Sequence, residues 1–199
     1  YELWTYSVAT EYVQSSYFDK YPIDYCVSGE GEQTFLELLL NLENNNPAVN
    51  DIHGLSYRAN KNSEFIVNAK REPFKSLSEI PSPYLSGIVD EEVLGRYGVE
   101  ANLETQRGCN LRCSYCIYHK DMDKVSYSEV KRVIDEVRHV TKRGVKKIRF
   151  VDANFSSDKD HAKAVMKGLI NENFRTGLFF ELIPGFLDEE LADLFGQYR

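Results

Sequence analysis

The sequence predicts an α/β fold, with strand–helix units near both ends of the chain and a hairpin and proline-rich stretch between them. Three observations carry this reading. Apolar runs of strand length recur ahead of stretches of helix length, which implies a parallel sheet with right-handed crossovers. Polar turn residues separate two β-like runs between 52 and 69. Pro73, Pro81 and Pro83 then fall close together, as in an extended connector.

In chain order, Ile23 to Val27 reads as a strand, and Gly29-Glu30-Gly31-Glu32 as the turn after it. A helix is expected from about Gln33 to Leu42. Phe35, Leu36, Leu38, Leu39, Leu40 and Leu42 are too densely apolar for a helix buried on one side only. Glu30 and Glu32 sit at its start, where the helix dipole favours negative charge. Leu55 to Arg58 and Phe65 to Val67 form the expected hairpin, with Asn60 to Ser63 as its turn. A domain boundary is placed at 70–98. Beyond it Val99, Ala101 and Leu103 alternate with polar residues, as in a half-buried strand.

The C-terminal pattern continues with a helix over about 128–143. Its apolar positions Val130, Val133, Ile134, Val137 and Val140 keep helical spacing. Ser126 with Glu129 is read as its capping box and Gly144 as its stop. Lys147 to Val151 is a second strand, Asp158 to Asn171 a second helix, Leu178 to Ile183 a third strand, and Leu187 to Phe195 the start of a third helix.

Chemistry concentrates between the first strand and first helix of that region. The run Arg107-Gly108-Cys109-Asn110-Leu111-Arg112-Cys113-Ser114-Tyr115-Cys116 has C-x3-C-x2-C spacing. Three of the four cysteines lie within eight residues, which suits a metal site better than a disulfide framework. Iron–sulfur clusters normally take four thiolates, so three would leave one iron open to a substrate. A zinc site made with His119 is a rival, because zinc accepts Cys3His. So is a Cys113–Cys116 redox pair, which would leave Cys109 idle. Cys26 lies in an apolar strand and reads as a buried thiol.

This spacing, with Tyr115 before the third cysteine and a strand before the first, resembles the radical S-adenosylmethionine (SAM) superfamily. The resemblance implies a [4Fe-4S] cluster on Cys109, Cys113 and Cys116. It further implies SAM chelated at the open iron and cleaved by an electron from an external flavodoxin- or ferredoxin-type donor, with a 5'-deoxyadenosyl radical as product. The end of the second strand approaches SAM in such barrels. Here it carries Asp152 and Asn154, where many relatives have Gly-Gly-Glu; simple helix capping is the alternative. Glu181, amid Phe179-Phe180-Glu181-Leu182-Ile183, is expected to face inward and be paired, with SAM, substrate or Arg149 as its partner. Tyr115 either offers its backbone to adenine or packs its ring.

The earlier segments Asp24-Tyr25-Cys26-Val27-Ser28-Gly29-Glu30-Gly31-Glu32, Ile52-His53-Gly54-Leu55 and Leu77-Ser78-Glu79-Ile80-Pro81 resemble the cobalamin (B12)-binding subgroup of that superfamily. So does Phe150-Val151-Asp152-Ala153-Asn154-Phe155. The fold implied is the C-terminal part of a Rossmann-like cobalamin-binding domain plus hairpin (1–69), a linker (70–98), and the first half of a (β/α)6 partial barrel (99–199). Gly29, Glu30, Gly31 and Glu32 would line the nucleotide tail of cobalamin, or simply form a tight turn and helix start. Asp51-Ile52-His53 looks like the start of a cobalt-ligand motif. Ser56 stands at its glycine position, so His53 is read as an ordinary surface or hairpin residue. The activity implied is methyl transfer to an unactivated carbon of a small molecule or peptide, or a related radical reaction. The alternatives are a methylthiotransferase-like enzyme, which would need more N-terminal cluster cysteines, and a zinc-stabilised binding module.

Composition limits the other classes. The net charge of -7 gives no cationic excess for nucleic acid. No run of about 18 apolar residues suggests a membrane helix, and Tyr1 to Thr10 does not read as a signal peptide. Four cysteines without secretory context suggest a reducing, cytoplasmic compartment. Both ends are read as cut from a longer protein, with the third strand left as an exposed edge carrying Phe179, Leu182 and Ile183.

Overall fold

The computed structural model describes residues 3–6, 23–44, 48–60, 63–89, 92, 94, 100–116, 118 and 124–198. The chain forms two compact units, Tyr1–Phe74 with Leu111–Asp123, and Lys75–Asn110 with Lys124–Arg199.

The first unit is a four-stranded sheet in the order β1-β2-β3-β4. Strands β1 (Leu3–Tyr6) and β2 (Tyr25–Ser28) are parallel, and β3 (Leu55–Arg58) and β4 (Phe65–Val67) add antiparallel neighbours. The expected hairpin is β3–β4. Helix α1 (Gly31–Glu43) follows β2 after Gly29, whose φ of +74° makes the turn. Val27, Leu38, Val49, Ile52 and Leu55 form the core between sheet and helix. Cys26 is buried with Ile23 on the other face, and burial pushes its thiol pKa up. The density of leucines in α1 is not matched by burial. Thr34 and Leu38 are buried, while Phe35, Leu36, Leu39 and Leu40 are exposed. A helix lying on one sheet face can cover only one stripe of its surface.

The second unit holds a parallel three-stranded sheet, β5 (Glu100–Leu103), β8 (Lys147–Phe150) and β9 (Gly177–Phe179), in the order β5-β8-β9. Strands β6 (Gln106–Arg107) and β7 (Ser126–Tyr127) form a separate antiparallel pair. Helices α2 (Val130–Lys142), α3 (Lys159–Asn171) and α4 (Glu189–Gln197) complete the three expected strand–helix units. Alternation places Ala101, Leu103, Ile148 and Phe150 in the core with Val137, Val165, Met166 and Leu191.

Helix capping differs in part from the sequence expectation. Ser126 pairs in β7, so no capping box forms at α2, whose N-cap Glu129 makes no side-chain cap bond. Gly144, at φ +90°, does end that helix. The true capping box joins Ser76 and Glu79 in the proline-rich stretch. Arg132 of α2 ties this stretch down, donating to the Leu77 and Ile80 carbonyls at 2.6 and 2.5 Å. Strand β9 stops at Phe179, and Phe180 beyond it packs on the core, stacked on Phe150 at 4.8 Å. Leu182 packs there too, so of the expected apolar edge Phe179 alone is exposed. No helix among the described residues is long and apolar enough to cross a membrane.

Candidate metal centre

The cysteine loop leaves the carboxyl end of β5, the end at which parallel α/β folds place ligands. After Leu103 come Glu104, Thr105, the short strand β6, Gly108 and Cys109. Strand β6 pairs with β7, so the chain departs and returns through a closed neck. At that neck Gly108 has φ +102°, and a Cβ there would stand 2.2 Å from the Lys124 carbonyl oxygen. Only glycine fits such a position. Ser128 N–H closes the neck below, donating to the Thr105 carbonyl at 2.8 Å.

Cys109, Cys113 and Cys116 are all half-buried free thiols. A turn brings Cys116 N–H to the Cys113 carbonyl at 3.0 Å. Tyr115 is 90% exposed, so its ring does not pack. Its phenol pKa is raised by the charge of Cys113, then by a hydrogen bond to it, and less by Cys116. Among the described residues no three Cys, His, Asp or Glu side chains stand close enough to hold a metal. His119 lies outside the described residues. The donor set itself, three unpaired thiols on one loop, fits an iron–sulfur cluster with an open site.

Behind the neck lies a buried polar network. Asp152, 1% exposed, accepts from Thr105 N–H at 2.8 Å, Gln106 N–H at 3.0 Å and Thr105 Oγ1 at 2.6 Å. Gln106 donates through Nε2 to the Asn154 carbonyl at 2.5 Å and accepts at Oε1 from Ser157 Oγ at 2.8 Å. Asn154 accepts at Oδ1 from Ser156 Oγ and Ile183 N–H, while its buried Nδ2 has no partner among the described residues. His161 bonds to the Thr105 backbone and lies 4.9 Å from the Tyr127 ring; burial pulls its pKa down. Neither Asp152 nor Asn154 caps a helix. Asp158 does that for α3, accepting from Asp160 and His161 N–H at 3.0 Å. Thr105 and Gln106 were not singled out from the sequence. Their one signal is a polar pair in a position that continues a buried strand.

Burial raises the Asp152 pKa to about 6, against the opposing bonds from Thr105 and Gln106. The folded state then holds this proton more tightly than the unfolded chain does. Stability from this group is full below pH about 4 and is lost as pH rises through about 6, by up to about 3 kcal/mol. Asp152→Asn has no such titration. The wild-type stability minus that of the variant should therefore fall between pH 4 and 6 in urea titrations, and a flat difference would count against the shift.

The remaining expected contacts are placed differently. Glu181 is exposed, neither enclosed nor paired with Arg149, which donates to Glu100 at 2.8 Å instead. Leu178, Phe180 and Leu182 pack on the core, so alternation leaves Glu181 on the exposed side with Phe179. The Glu181 carbonyl accepts from Phe155 N–H at 2.9 Å. In the first unit Gly29 and Glu32 are exposed, whereas Glu30 is buried and its carboxylate accepts from Phe74 N–H at 2.5 Å. A Cβ at Gly31 would come within 3.2 Å of Val27 Cγ1. His53 is exposed in a turn, as an ordinary hairpin residue would be.

Residues 103–199 match the family model of the radical SAM superfamily. The match takes in the cysteine motif, whose spacing carries the same resemblance. In fold the chain is similar to the radical SAM methyltransferase TsrM from Kitasatospora setae, solved with its tryptophan substrate and a SAM analogue (TM-score 0.72, 21% identity, 94% of this chain and 38% of that one). The same enzyme with cobalamin and a [4Fe-4S] cluster gives a TM-score of 0.71 at 20% identity, with 94% of this chain and 38% of that one covered. The cobalamin-dependent SAM radical enzyme OxsB, with aqua-cobalamin and SAM bound, gives 0.70 at 18% identity, covering 98% of this chain and 29% of that one. The chain thus spans well under half the length of these proteins. No curated protein sequence matches it.

Proposed function

We propose that this chain is the middle portion of a cobalamin-type radical SAM enzyme. Residues 1–69 are the end of a Rossmann-like cobalamin-binding domain with its hairpin, 70–98 a linker, and 99–199 the front half of a (β/α)6 partial barrel. Cys109, Cys113 and Cys116 hold a [4Fe-4S] cluster. The observation that carries this reading is the C-x3-C-x2-C spacing on a loop leaving the carboxyl end of the first of three parallel strands. When bound, the cluster supplies the electron that cleaves SAM to methionine and a 5'-deoxyadenosyl radical, and cobalamin would carry a methyl group.

The residues of this chain have the remaining tasks. Three thiolates anchor the metal and leave one position for the methionine end of SAM. Tyr115 and Glu181, both exposed, are proposed as direct SAM contacts. Asp152 and Asn154, both buried, are proposed to serve from within. Gly29 and Glu32 would meet the cobalamin tail, with Glu30 and Gly31 shaping the turn. The reaction is methyl transfer to an unactivated carbon, or related radical chemistry, on a small molecule or peptide, with electrons from a flavodoxin- or ferredoxin-type donor. Full-length protein, reconstituted anaerobically and reduced, should convert SAM to 5'-deoxyadenosine, measured by liquid chromatography. A protein loaded with iron and sulfide that leaves SAM intact, with or without added cobalamin, would refute the proposal.

A further inference from the structure

The cysteine motif supplies thiols, but the position of the first one depends on the backbone just before it. Thr105 and Gln106 lie four and three residues ahead of Cys109 and are 0% and 1% exposed. Three parts of the fold converge on them. Asp152, at the end of β8, takes both of their backbone N–H groups on Oδ1 and the Thr105 hydroxyl on Oδ2. The loop at 154–157 grips the Gln106 side chain at both ends. His161, in the first turn of α3, bonds to the Thr105 backbone. Strand β7 then holds the following residue, Arg107, which also makes a two-pronged ion pair with Glu104 at 3.0 and 2.8 Å.

A carboxylate offers about four acceptor positions, and the loop uses three of those on Asp152. Burying such a group is unfavourable unless donors match it, and here every matching donor belongs to two adjacent residues of one loop. The fourth position is shut off by burial, so a ligand could reach the carboxylate only if a path to solvent opened.

We propose that Asp152 is a positioning residue: it fixes the Thr105–Gln106 backbone from which the cysteine loop departs, and it does not itself bind SAM. This rests on the reading of the three cysteines as cluster ligands. Asn can replace it in the same shape. Its Oδ1 would still accept from both N–H groups, and its Nδ2 would donate to the Thr105 hydroxyl, which can turn to accept. Ala would release the loop.

The test uses the full-length protein as wild type, Asp152→Asn, Asp152→Ala and Thr105→Val. Amide hydrogen exchange of the cluster-free protein is read at 103–109 and, as reference, across α2. In Asp152→Ala, exchange at 105 and 106 should rise about tenfold with α2 unchanged, a local opening rather than global unfolding. Iron retained after reconstitution should fall at least about twofold in parallel. Asp152→Asn should keep exchange, iron content and calorimetric SAM affinity within about twofold of wild type. If the Ala variant does not fold, Thr105→Val removes one bond and keeps the shape; exchange at 105 and 106 should rise about threefold. Unchanged exchange in the variant that folds would overturn the proposal. So would an Asn variant with normal iron and exchange but at least about tenfold weaker SAM binding, since the carboxylate would then be a ligand. Wild-type protein that takes up no iron defeats the cluster reading instead, and the exchange measurements still decide whether Asp152 holds the loop.

Discussion

Replacing Cys109, Cys113 or Cys116 by Ala is expected to abolish cluster assembly, taking iron from about four per chain to near zero. Cys26→Ala should leave it unchanged. The asymmetry follows from environment. The three loop thiols are free and half-buried, on a segment whose neck is fixed by the β6–β7 pair. Cys26 is 6% exposed within β2, paired to Ser56 across the sheet, and burial raises its thiol pKa, which disfavours the thiolate a metal needs. Losing its sulfur should cost only packing, on the order of 1 kcal/mol. Iron and acid-labile sulfide, measured after anaerobic reconstitution of each full-length variant, check this. Stoichiometric zinc that resists exchange for iron would point to a structural zinc site. Full iron in any one loop variant would remove that cysteine from the ligand set.

The sequence revealed the parts whose signals are local and periodic. Alternation located β5, helical spacing located α2, and short cysteine spacings located the candidate metal centre without any structure. The hairpin of β3 and β4 was equally visible, because its polar turn and both short runs lie between residues 55 and 67. What stayed hidden depends on closures between distant residues. Asp152 reaches Gln106 across 46 residues and Gln106 reaches the Asn154 carbonyl across 48, and no period connects such pairs. Glu181 differs for another reason. The apolar run around it mixes two faces: Leu178, Phe180 and Leu182 pack on the core, and Glu181 falls between them on the exposed side with Phe179. The leucines of α1 show the reverse limit. Apolar density says that a surface is available for burial, not that this stretch of chain buries it.

Gly108→Ala is expected to destroy the cysteine loop's neck with the chemistry of every proposed ligand intact. Two separate effects act at this position. Its φ of +102° lies where a side chain is strained. A Cβ would also meet the Lys124 carbonyl oxygen at 2.2 Å, the Lys124 carbonyl carbon at 3.1 Å and Val125 Cα at 3.2 Å. These are backbone atoms, so no rotamer change relieves the contact. Moving them means separating β6 from β7 and breaking the Gln106–Tyr127 and Arg107–Ser126 pairing. Gly144→Ala isolates the first effect, because φ there is +90° but nothing lies within 4 Å of the added carbon. That control should cost about 1 kcal/mol and leave iron content alone. Gly108→Ala should cost on the order of 3 kcal/mol, if the neck stays closed, through strain and collision together. If the neck opens instead, the stability cost is smaller and iron retention drops at least about fivefold, because the first thiol is no longer held relative to the others. Urea titration and iron analysis of the two variants, side by side in the full-length protein, distinguish these results. A Gly108→Ala protein matching Gly144→Ala in both stability and iron would show that the neck neither closes tightly nor governs where Cys109 stands.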